Sequence, residues 1–308
     1  MRYLPTTLLK RIVKALTYGT VGALLVLIVV FVIYLDSRPD LGPWHHADLD
    51  EEFTVESGAN SFTAYMQLEQ RLFAQLQQEV YAHTGSARQN MVNRYFSGSL
   101  ADPGRWRRNW NRSFELIADA PRAGVLLLHG LSDSPYSMRA LATALHSRRA
   151  HVLGLRLPGH GTAPSGLVEV SWEDMAAAVR IAMHHLEEQI GDRPLYIIGY
   201  SNGGALALHY ILDALDDDNL PKSSGIALLS PSIGVTKIAT LAVWQARLGH
   251  LLGLEKLAWS DILPEVEPFN YGSFAVNAGD LVFRLTARIQ AMIDRLQRSK
   301  RLNELPPI

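Results

Sequence analysis

A long apolar segment near the start of the chain dominates its hydrophobic pattern. No charged residue occurs from Ala15 to Leu35, and about 20 apolar residues suffice for a helix that crosses the core of a bilayer. Four basic residues and no acid precede this segment, whereas six acids and one arginine follow it within residues 36–52. The positive-inside rule then places residues 1–14 in the cytoplasm. The sequence therefore predicts a single transmembrane helix over residues 15–35, with the remainder of the chain on the outer (periplasmic or extracellular) side.

Two other interpretations of this segment are open. A cleaved signal peptide has an apolar region of ~7–15 residues that ends in small residues, but here the run is longer and ends in Val-Ile-Tyr-Leu-Asp36. A buried helix of a soluble domain is seldom apolar on every face at this length. The pattern favours a retained signal anchor and makes a lipid bilayer the expected partner of residues 15–35.

Residues 36–112 combine a polar stretch with one helical segment. Residues 36–60 are acidic and contain two prolines and two glycines, a composition typical of a linker. Between Phe62 and Tyr81 apolar residues recur every three or four positions, with Gln and Glu between them. This spacing predicts an amphipathic helix.

From Ser113 onward short apolar runs alternate with longer helical stretches, such as Ser137–Ser147 and Trp172–Gln189. Strands that alternate with helices form a mostly parallel sheet covered on both faces, so residues 113–233 predict an α/β core. Residues 234–308 return to helical patterns, at Ile238–Leu254 and Leu281–Leu296. The five predicted strands are Phe114–Ile117, Val125–Leu128, Val152–Leu155, Leu195–Ile198 and Ile226–Leu229.

Composition and charge exclude several classes of protein. The chain has 29 Lys and Arg against 30 Asp and Glu, a balance that argues against nucleic acid as a partner. It contains no cysteine, which excludes disulfide scaffolds, thiol catalysis and cysteine-based metal sites. The pairs His45-His46 and His184-His185 lack a third ligand at metal-binding spacing, and adjacent residues of a helix do not face each other. We therefore expect neither a metal nor a cofactor.

The strongest chemical signal is the motif Gly199-Tyr-Ser-Asn-Gly203, which lies between an apolar strand and a predicted helix. A serine on a sharp strand-to-helix turn crowds the residues two positions away, and glycine at both places relieves that crowding. The helix that begins after Ser201 directs backbone N–H groups and a partial positive charge toward a developing oxyanion. In this context the motif predicts Ser201 as a nucleophile, with an ordinary glycine turn as the alternative.

Two further motifs precede this one in the chain. Val125-Leu-Leu-Leu-His129-Gly-Leu131-Ser is a strand that enters a tight His-Gly turn, and Leu157-Pro-Gly-His160-Gly-Thr follows the next strand. In this order and spacing the three motifs resemble the α/β-hydrolase superfamily, in particular its group of serine aminopeptidase-like and monoacylglycerol-lipase-like enzymes. The resemblance covers about residues 113–300.

The resemblance implies a fold and a set of site residues. The implied α/β-hydrolase fold has an eight-stranded, mostly parallel sheet, helices on both faces and a helical lid after the sixth strand. By position, Ser201 matches the nucleophile and the backbone amides of Leu131 and Asn202 match the oxyanion hole, while His129 and His160 match histidines that shape loops. Such enzymes cleave esters or amides with a Ser-Asp/Glu-His triad and no cofactor. Beside a membrane anchor, a lipid-like ester is the expected substrate.

The acid and the base of such a triad follow the serine in this family, and neither is found in these 308 residues. His209 lies eight residues into the helix after Ser201, about 12 Å along its axis. His250 lies in an apolar helical stretch, and Asp280 is expected to cap the next helix. We interpret residues 1–308 as an N-terminal portion of a longer hydrolase, with residues 234–308 as a helical lid and truncated end and with the last strands and the triad acid and base expected beyond Ile308. We therefore expect little activity in the chain as given, since a serine without its base is a weak nucleophile. A non-catalytic interaction module of the same fold is the alternative.

One further segment carries an unusual pattern. Residues 105–112 read Arg-Trp-Arg-Arg-Asn-Trp-Asn-Arg. Alternating arginine and tryptophan suit a lipid headgroup surface, whereas a solvated flank of the adjacent strand is the simpler interpretation. The apolar residues between Leu248 and Trp259 could line an acyl pocket of the lid or pack on the core.

Overall fold

In a computed structural model the chain consists of two compact units, Met1–Asp40 and Leu41–Ile308. The structure describes residues 6–85, 91–234 and 254–308. The first unit contains one helix, α1 (Thr6–Ser37). Its part Val13–Ser37 has a mean hydropathy of 2.6 and is, by length and composition, the one helix among the described residues able to cross a membrane.

The second unit contains seven α-helices and seven strands among its described residues, besides short 3-10 helices. The helices are α2 (Pro43–His46), α3 (Phe62–Glu79), α4 (Arg139–His146), α5 (Gly166–Glu169), α6 (Trp172–Ile190), α7 (Asn202–Ala214) and α8 (Val276–Ser299). The strands are β1 (Phe114–Leu116), β2 (Ala123–Leu128), β3 (Ala150–Leu155), β4 (Leu195–Tyr200), β5 (Gly225–Leu229), β6 (Trp259–Asp261) and β7 (Phe274–Ala275). All five strands predicted from the sequence are present, with ends displaced by one or two residues.

The first five strands form one sheet in the order β1-β3-β2-β4-β5. β1 is antiparallel to β3, and all other neighbours are parallel. Leu128 at the end of β2 lies opposite Leu155 of β3 and Gly199 of β4, so the loops that follow these strands leave the sheet at the same edge. The prediction of a mostly parallel α/β sheet is confirmed.

The central strand β2 shows how two layers of helices enclose the sheet. Its residues Val125 to Leu128 are all buried, as expected for a parallel strand covered on both faces. Leu126 and Leu128 pack in a cluster with residues of α6 and α7, whereas Val125 and Leu127 pack in another with Ala142 of α4. The uninterrupted apolar runs of the sequence therefore record burial from both sides.

Residues 41–85 and 91–112 pack on the sheet domain, in contrast to the linker predicted for residues 36–60. Phe53 and Tyr65 are buried in the main apolar core. The hydroxyl of Tyr65 donates a hydrogen bond of 2.5 Å to the backbone carbonyl of Arg156, the residue after β3. Much of the segment that precedes β1 is therefore part of the domain.

A buried ion network fastens this segment to the end of β3. Arg156 is 1% exposed, and its guanidinium donates hydrogen bonds of 2.8 and 2.9 Å to the two carboxylate oxygens of Glu52. Its Nε donates at 3.2 Å to Glu69 of α3, which is equally buried. The hydroxyl of Ser113 donates to Glu69 at 2.7 Å and accepts from the backbone N–H of Arg156 at 2.9 Å. The segment predicted as a solvated linker thus contains an acid, Glu52, that pairs with a buried arginine.

The described part of residues 234–308 contains strands where the sequence predicted only helix. β6 and β7 form a separate antiparallel two-stranded sheet, and strands of three and two residues are too short to show an alternating pattern. The prediction that Asp280 caps a helix is wrong, because α8 begins at Val276 and Asp280 is buried within it. The helix predicted at Ile238–Leu254, with His250, lies outside the described residues except for Leu254 itself. Of the apolar lid face, Leu257 and Trp259 are described, and both are buried.

Candidate active site

Ser201 occupies the turn between β4 and α7. Its backbone has φ 53° and ψ −116°, a conformation that costs a residue with a side chain of order 1–3 kcal/mol. Its N–H donates to the carbonyl of Leu229 at the end of β5 at 2.9 Å, and its carbonyl accepts from the N–H groups of Gly204 and Ser232 at 3.0 Å each. Hydrogen bonds from α7 and from the chain after β5 thus hold the strained turn.

Two glycines make this turn possible. A Cβ atom at Gly199 would lie 2.2 Å from the carbonyl oxygen of Gly203, and one at Gly203 would lie 2.4 Å from the carbonyl oxygen of Leu128. No side chain can approach the backbone so closely, and glycine avoids the clash because it lacks Cβ. The spacing of the motif therefore follows from the tight packing of α7 against β4 and the end of β2.

The loop after β2 lies directly against Ser201. A Cβ atom at Gly130 would be 3.3 Å from the Cβ of Ser201, so the next residue, Leu131, belongs to the loop beside the serine. In the described part of the chain, neither the backbone N–H of Leu131 nor that of Asn202 donates a hydrogen bond. Unengaged amides beside a serine hydroxyl are the groups that can stabilise an oxyanion.

His129 and His160 connect the loops that follow β2 and β3. Nδ1 of His129 donates to the carbonyl of Gly130 at 2.8 Å, and its Nε2 accepts from the N–H of Leu157 at 3.1 Å. Burial lowers the pKa of His129 to about 4 and that of His160 to about 3. Nδ1 of His160 donates to the carbonyl of Pro158 at 2.9 Å. His129 is therefore a neutral bridge between two loops and has no free nitrogen to accept a proton from serine.

Ser232 is a site residue that was not expected from the sequence. Its hydroxyl lies 3.1 Å from that of Ser201 and is the hydrogen-bond partner of Ser201 Oγ within the described ranges. The carbonyl of Ser232 accepts from the Oγ1 of Thr286 on α8 at 3.1 Å. The sequence could have indicated this contact, because Ser230-Pro-Ser232 directly follows β5. Adjacent parallel strands bring the loops that follow them to the same edge of the sheet, so the loop after β5 lies near the turn after β4.

The structure does not bring a histidine or a carboxylate of the described residues into hydrogen-bond contact with Ser201. His209 is buried on α7 against Trp172, with ring centroids 5.0 Å apart, and burial lowers its pKa to about 4. The acid and base of the triad stay a prediction, and His250 lies outside the described residues. Over residues 6–85, 91–234 and 254–308 no group of three or more His, Asp or Glu could hold a metal ion.

A mostly parallel sheet with helices on both faces, and a strained serine between a parallel strand and a helix, define an α/β-hydrolase fold. The family described as serine aminopeptidase, S33, matches residues 119–297, more than half of the chain. This chain belongs to that family.

Two curated relatives share parts of the sequence. A thermostable monoacylglycerol lipase from Bacillus sp. (strain H-257) is 28% identical over 174 residues, which are 56% of this chain and 65% of the relative. Phospholipase YtpA from Bacillus subtilis (strain 168) is 27% identical over 119 residues, 38% of this chain and 44% of the relative. The matches thus span less than two thirds of the length of these relatives.

Solved structures are similar at lower identity. The monoacylglycerol lipase of Paleococcus ferrophilus has 20% identity and a TM-score of 0.44, over 58% of this chain and 71% of that chain. A structure described with the metagenome-derived lipolytic enzymes LipS and LipT has 22% identity and a TM-score of 0.47, over 59% of this chain and 71% of that chain.

Proposed function

We propose that this chain is a serine hydrolase of the lipase and esterase type, with Ser201 as its nucleophile. The observation that carries the proposal is the strained backbone of Ser201 beside the loop of Leu131, with the amides of Leu131 and Asn202 free of acceptors in the described part of the chain. Backbone strain of this size persists where the surrounding structure maintains it, and it is concentrated at functional sites. Gly199 and Gly203 supply the space that the turn needs.

In the proposed reaction the Oγ of Ser201 attacks the carbonyl carbon of a carboxylic ester, and its proton passes to a base. The carbonyl oxygen takes up the negative charge and accepts hydrogen bonds from the amides of Leu131 and Asn202. Loss of one such donor costs about 2.7–4 kcal/mol of transition-state stabilisation in a serine hydrolase. The tetrahedral intermediate collapses, the alcohol leaves with a proton, and water hydrolyses the acyl-serine. These steps need no cofactor.

The base of this reaction is not among the described residues that contact Ser201. The hydroxyl of Ser232 is the partner present there, and an alcohol does not take a proton at neutral pH. We therefore expect slow acylation of the 308-residue chain, because an unassisted serine hydroxyl is a weak nucleophile. The same observation favours the second candidate, a non-catalytic interaction module that retains the turn without a triad.

A lipid-like carboxylic ester is the first substrate class to test. The two curated relatives are named as a monoacylglycerol lipase and a phospholipase, whereas the family takes its name from an aminopeptidase. We expect hydrolysis of a monoacylglycerol to exceed hydrolysis of an aminoacyl p-nitroanilide. The opposite ranking would assign the site to amide bonds.

We further propose that α1 anchors the chain in a bilayer, with residues 1–14 in the cytoplasm and residues 41–308 on the outer side. The apolar part Val13–Ser37 and the basic residues before it support this orientation. Because the chain has no cysteine, a single one can report the topology. A membrane-impermeant maleimide should label Ser299→Cys in intact cells and should not label Thr7→Cys, whereas the reverse pattern would contradict the proposal.

A fluorophosphonate probe tests the nucleophile. At high concentration and long incubation we expect it to modify Ser201 of the full chain, as identified by mass spectrometry of the labelled peptide. Ser201→Ala should abolish the label, while Ser299→Ala, a change at an exposed serine of α8, should leave it unchanged. A folded chain without a label at Ser201 would instead support the non-catalytic module.

A further inference from the structure

A basic and aromatic surface that the proposed chemistry does not use lies on the second unit. We call it the arginine–tryptophan surface, and it comprises the loop 103–112 with Tyr136, Arg139 and Phe269. The loop contains four arginines and no acid. Its exposed side chains are those of Arg105, Trp106, Arg107 and Arg108.

The exposed arginines of this loop, Arg105, Arg107 and Arg108, are not neutralised within the described protein, whereas the partly buried Arg112 interacts with Glu69. No described carboxylate forms an ion pair with an arginine of residues 103–112. Elsewhere on the surface Arg71, Arg180 and Arg301 are paired with acids, whereas Arg295 and Arg298 of α8 also form no ion pair with a described residue. The guanidinium of Arg107 makes neither a hydrogen bond nor a ring contact with any described residue. The loop therefore presents charges that are available to an external anion.

Aromatic contacts hold the surface in one shape. Trp106 meets Phe269 edge to face with ring centroids 4.9 Å apart, and Phe269 stacks on Tyr136 at 4.0 Å. The Cζ of Arg139 lies 3.5 Å from the centre of the Tyr136 ring. Trp106 nevertheless stays 37% exposed. Side chains that are already ordered lose less entropy on binding, so this geometry favours a partner.

We propose that the arginine–tryptophan surface binds the anionic headgroups of a phospholipid bilayer. Guanidinium groups bind phosphate through paired hydrogen bonds, and a half-exposed tryptophan prefers the boundary between headgroups and acyl chains. A solvated loop flank would not need a tryptophan held edge to face against Phe269 among the arginines. The inference rests on the proposed anchoring by α1, which keeps the chain at a bilayer and raises the effective concentration of headgroups.

A polarity-sensitive dye on a single cysteine reports this docking in the full chain. Ser137→Cys places the dye at an exposed position next to Tyr136, and Ser299→Cys places it on α8 as the control position. Both variants are reconstituted in nanodiscs of phosphatidylcholine, with or without phosphatidylglycerol. We expect the emission at position 137 to shift to the blue only in discs that contain phosphatidylglycerol, and the emission at position 299 to stay constant.

Charge-reversal variants distinguish binding by this surface from an effect of the net charge of the protein. Arg107→Glu with Arg108→Glu should abolish the shift, because each arginine near an anionic membrane contributes about fivefold to binding and the two together about 25-fold. The matched pair Arg295→Glu with Arg298→Glu makes the same charge change at exposed positions of α8 and should leave the shift unchanged. High salt should also reduce the shift, since it screens exposed charges.

Three outcomes would overturn the proposal or redirect it. Equal emission at position 137 in discs with and without phosphatidylglycerol would refute it. A shift with soluble polyglutamate but not with anionic discs would assign the surface to an acidic protein. If the chain does not co-purify with discs, the proposed anchoring by α1 is wrong. Anionic vesicles added to the same labelled chain then test whether the arginine–tryptophan surface binds a bilayer without the anchor.

Discussion

Glu51 and Glu52 are neighbours in the sequence, but their surroundings predict very different effects of replacement by glutamine. Glu52 is 13% exposed and binds the buried Arg156 through both carboxylate oxygens. One of these oxygens also accepts from the backbone N–H of Gly159 at 2.9 Å. Glu51 pairs with Arg71 at 2.8 Å, but the side chains of that pair are 38% and 53% exposed. The pair of substitutions Glu52→Gln and Glu51→Gln therefore compares a buried with an exposed ion pair.

The expected magnitudes follow from burial. Removing one partner of a buried ion pair costs about 3–5 kcal/mol, since the other charge stays buried. In Glu52→Gln, Arg156 keeps Glu69 as a partner at 3.2 Å, so we expect a smaller loss of about 2–3 kcal/mol. An exposed pair contributes about 0–1 kcal/mol, and Glu51→Gln should stay within that range.

Thermal unfolding of the full chain in detergent, followed by near-ultraviolet circular dichroism, measures both effects. For a domain of this size 1 kcal/mol corresponds to about 2–4 °C in Tm. We expect a decrease of about 4–12 °C for Glu52→Gln and at most about 4 °C for Glu51→Gln. Equal decreases, or none for Glu52→Gln, would refute the reasoning that residues 41–85 are fastened to the sheet by a buried charge network.

Three further predictions concern pH, the hydroxyl partner of the serine and the glycine turn. Burial lowers the pKa of His129 to about 4. The stability that its neutral form contributes is therefore complete above about pH 6.5 and is lost as the pH falls toward 4. Urea unfolding across this range should show the decrease in the free energy of unfolding, and a flat profile would contradict it. Ser232→Ala removes the hydroxyl that contacts the Oγ of Ser201, so fluorophosphonate should label Ser201 more slowly, with a Tm decrease of at most about 6 °C from the loss of one hydrogen bond, and Ser232→Thr should restore the rate. Gly203→Ala should prevent folding or abolish labelling, because its Cβ would lie 2.4 Å from a backbone carbonyl, whereas Gly279→Ala on α8, with nothing within 4 Å, should be tolerated.

The sheet and the serine turn were predictable because both leave local patterns in the sequence. Residues 125–128 of β2 and 152–155 of β3 are buried on both faces, and such stretches are apolar without interruption. Glycine is required at 199 and 203 because a Cβ atom there would lie 2.2 and 2.4 Å from a backbone carbonyl oxygen. A constraint that depends on neighbouring residues, or on one residue type with a unique property, can be recognised in a single sequence.

Features that depend on distant partners were not predicted. Glu52 resembles a solvated acid because its partner Arg156 lies 104 residues further along the chain. Ser232 reaches Ser201 only through the pairing of β4 with β5, in which Tyr200 lies opposite Leu229. A hydrophobic pattern records whether a position is buried, but it does not record which charge or hydroxyl group lies opposite.

The buried network also connects the segment before β1 to the loops around the serine. Glu52 holds the N–H of Gly159 and the guanidinium of Arg156, and that guanidinium donates to the carbonyl of His160 at 3.0 Å. Within the same loop the N–H of Leu157 donates to the ring of His129, which immediately precedes the glycine that packs on the serine. Because these contacts are continuous, a change at Glu52 should alter the loop that carries Leu131 as well as the melting temperature. The segment before the sheet is therefore better described as a support of the candidate site than as a spacer between an anchor and an enzyme.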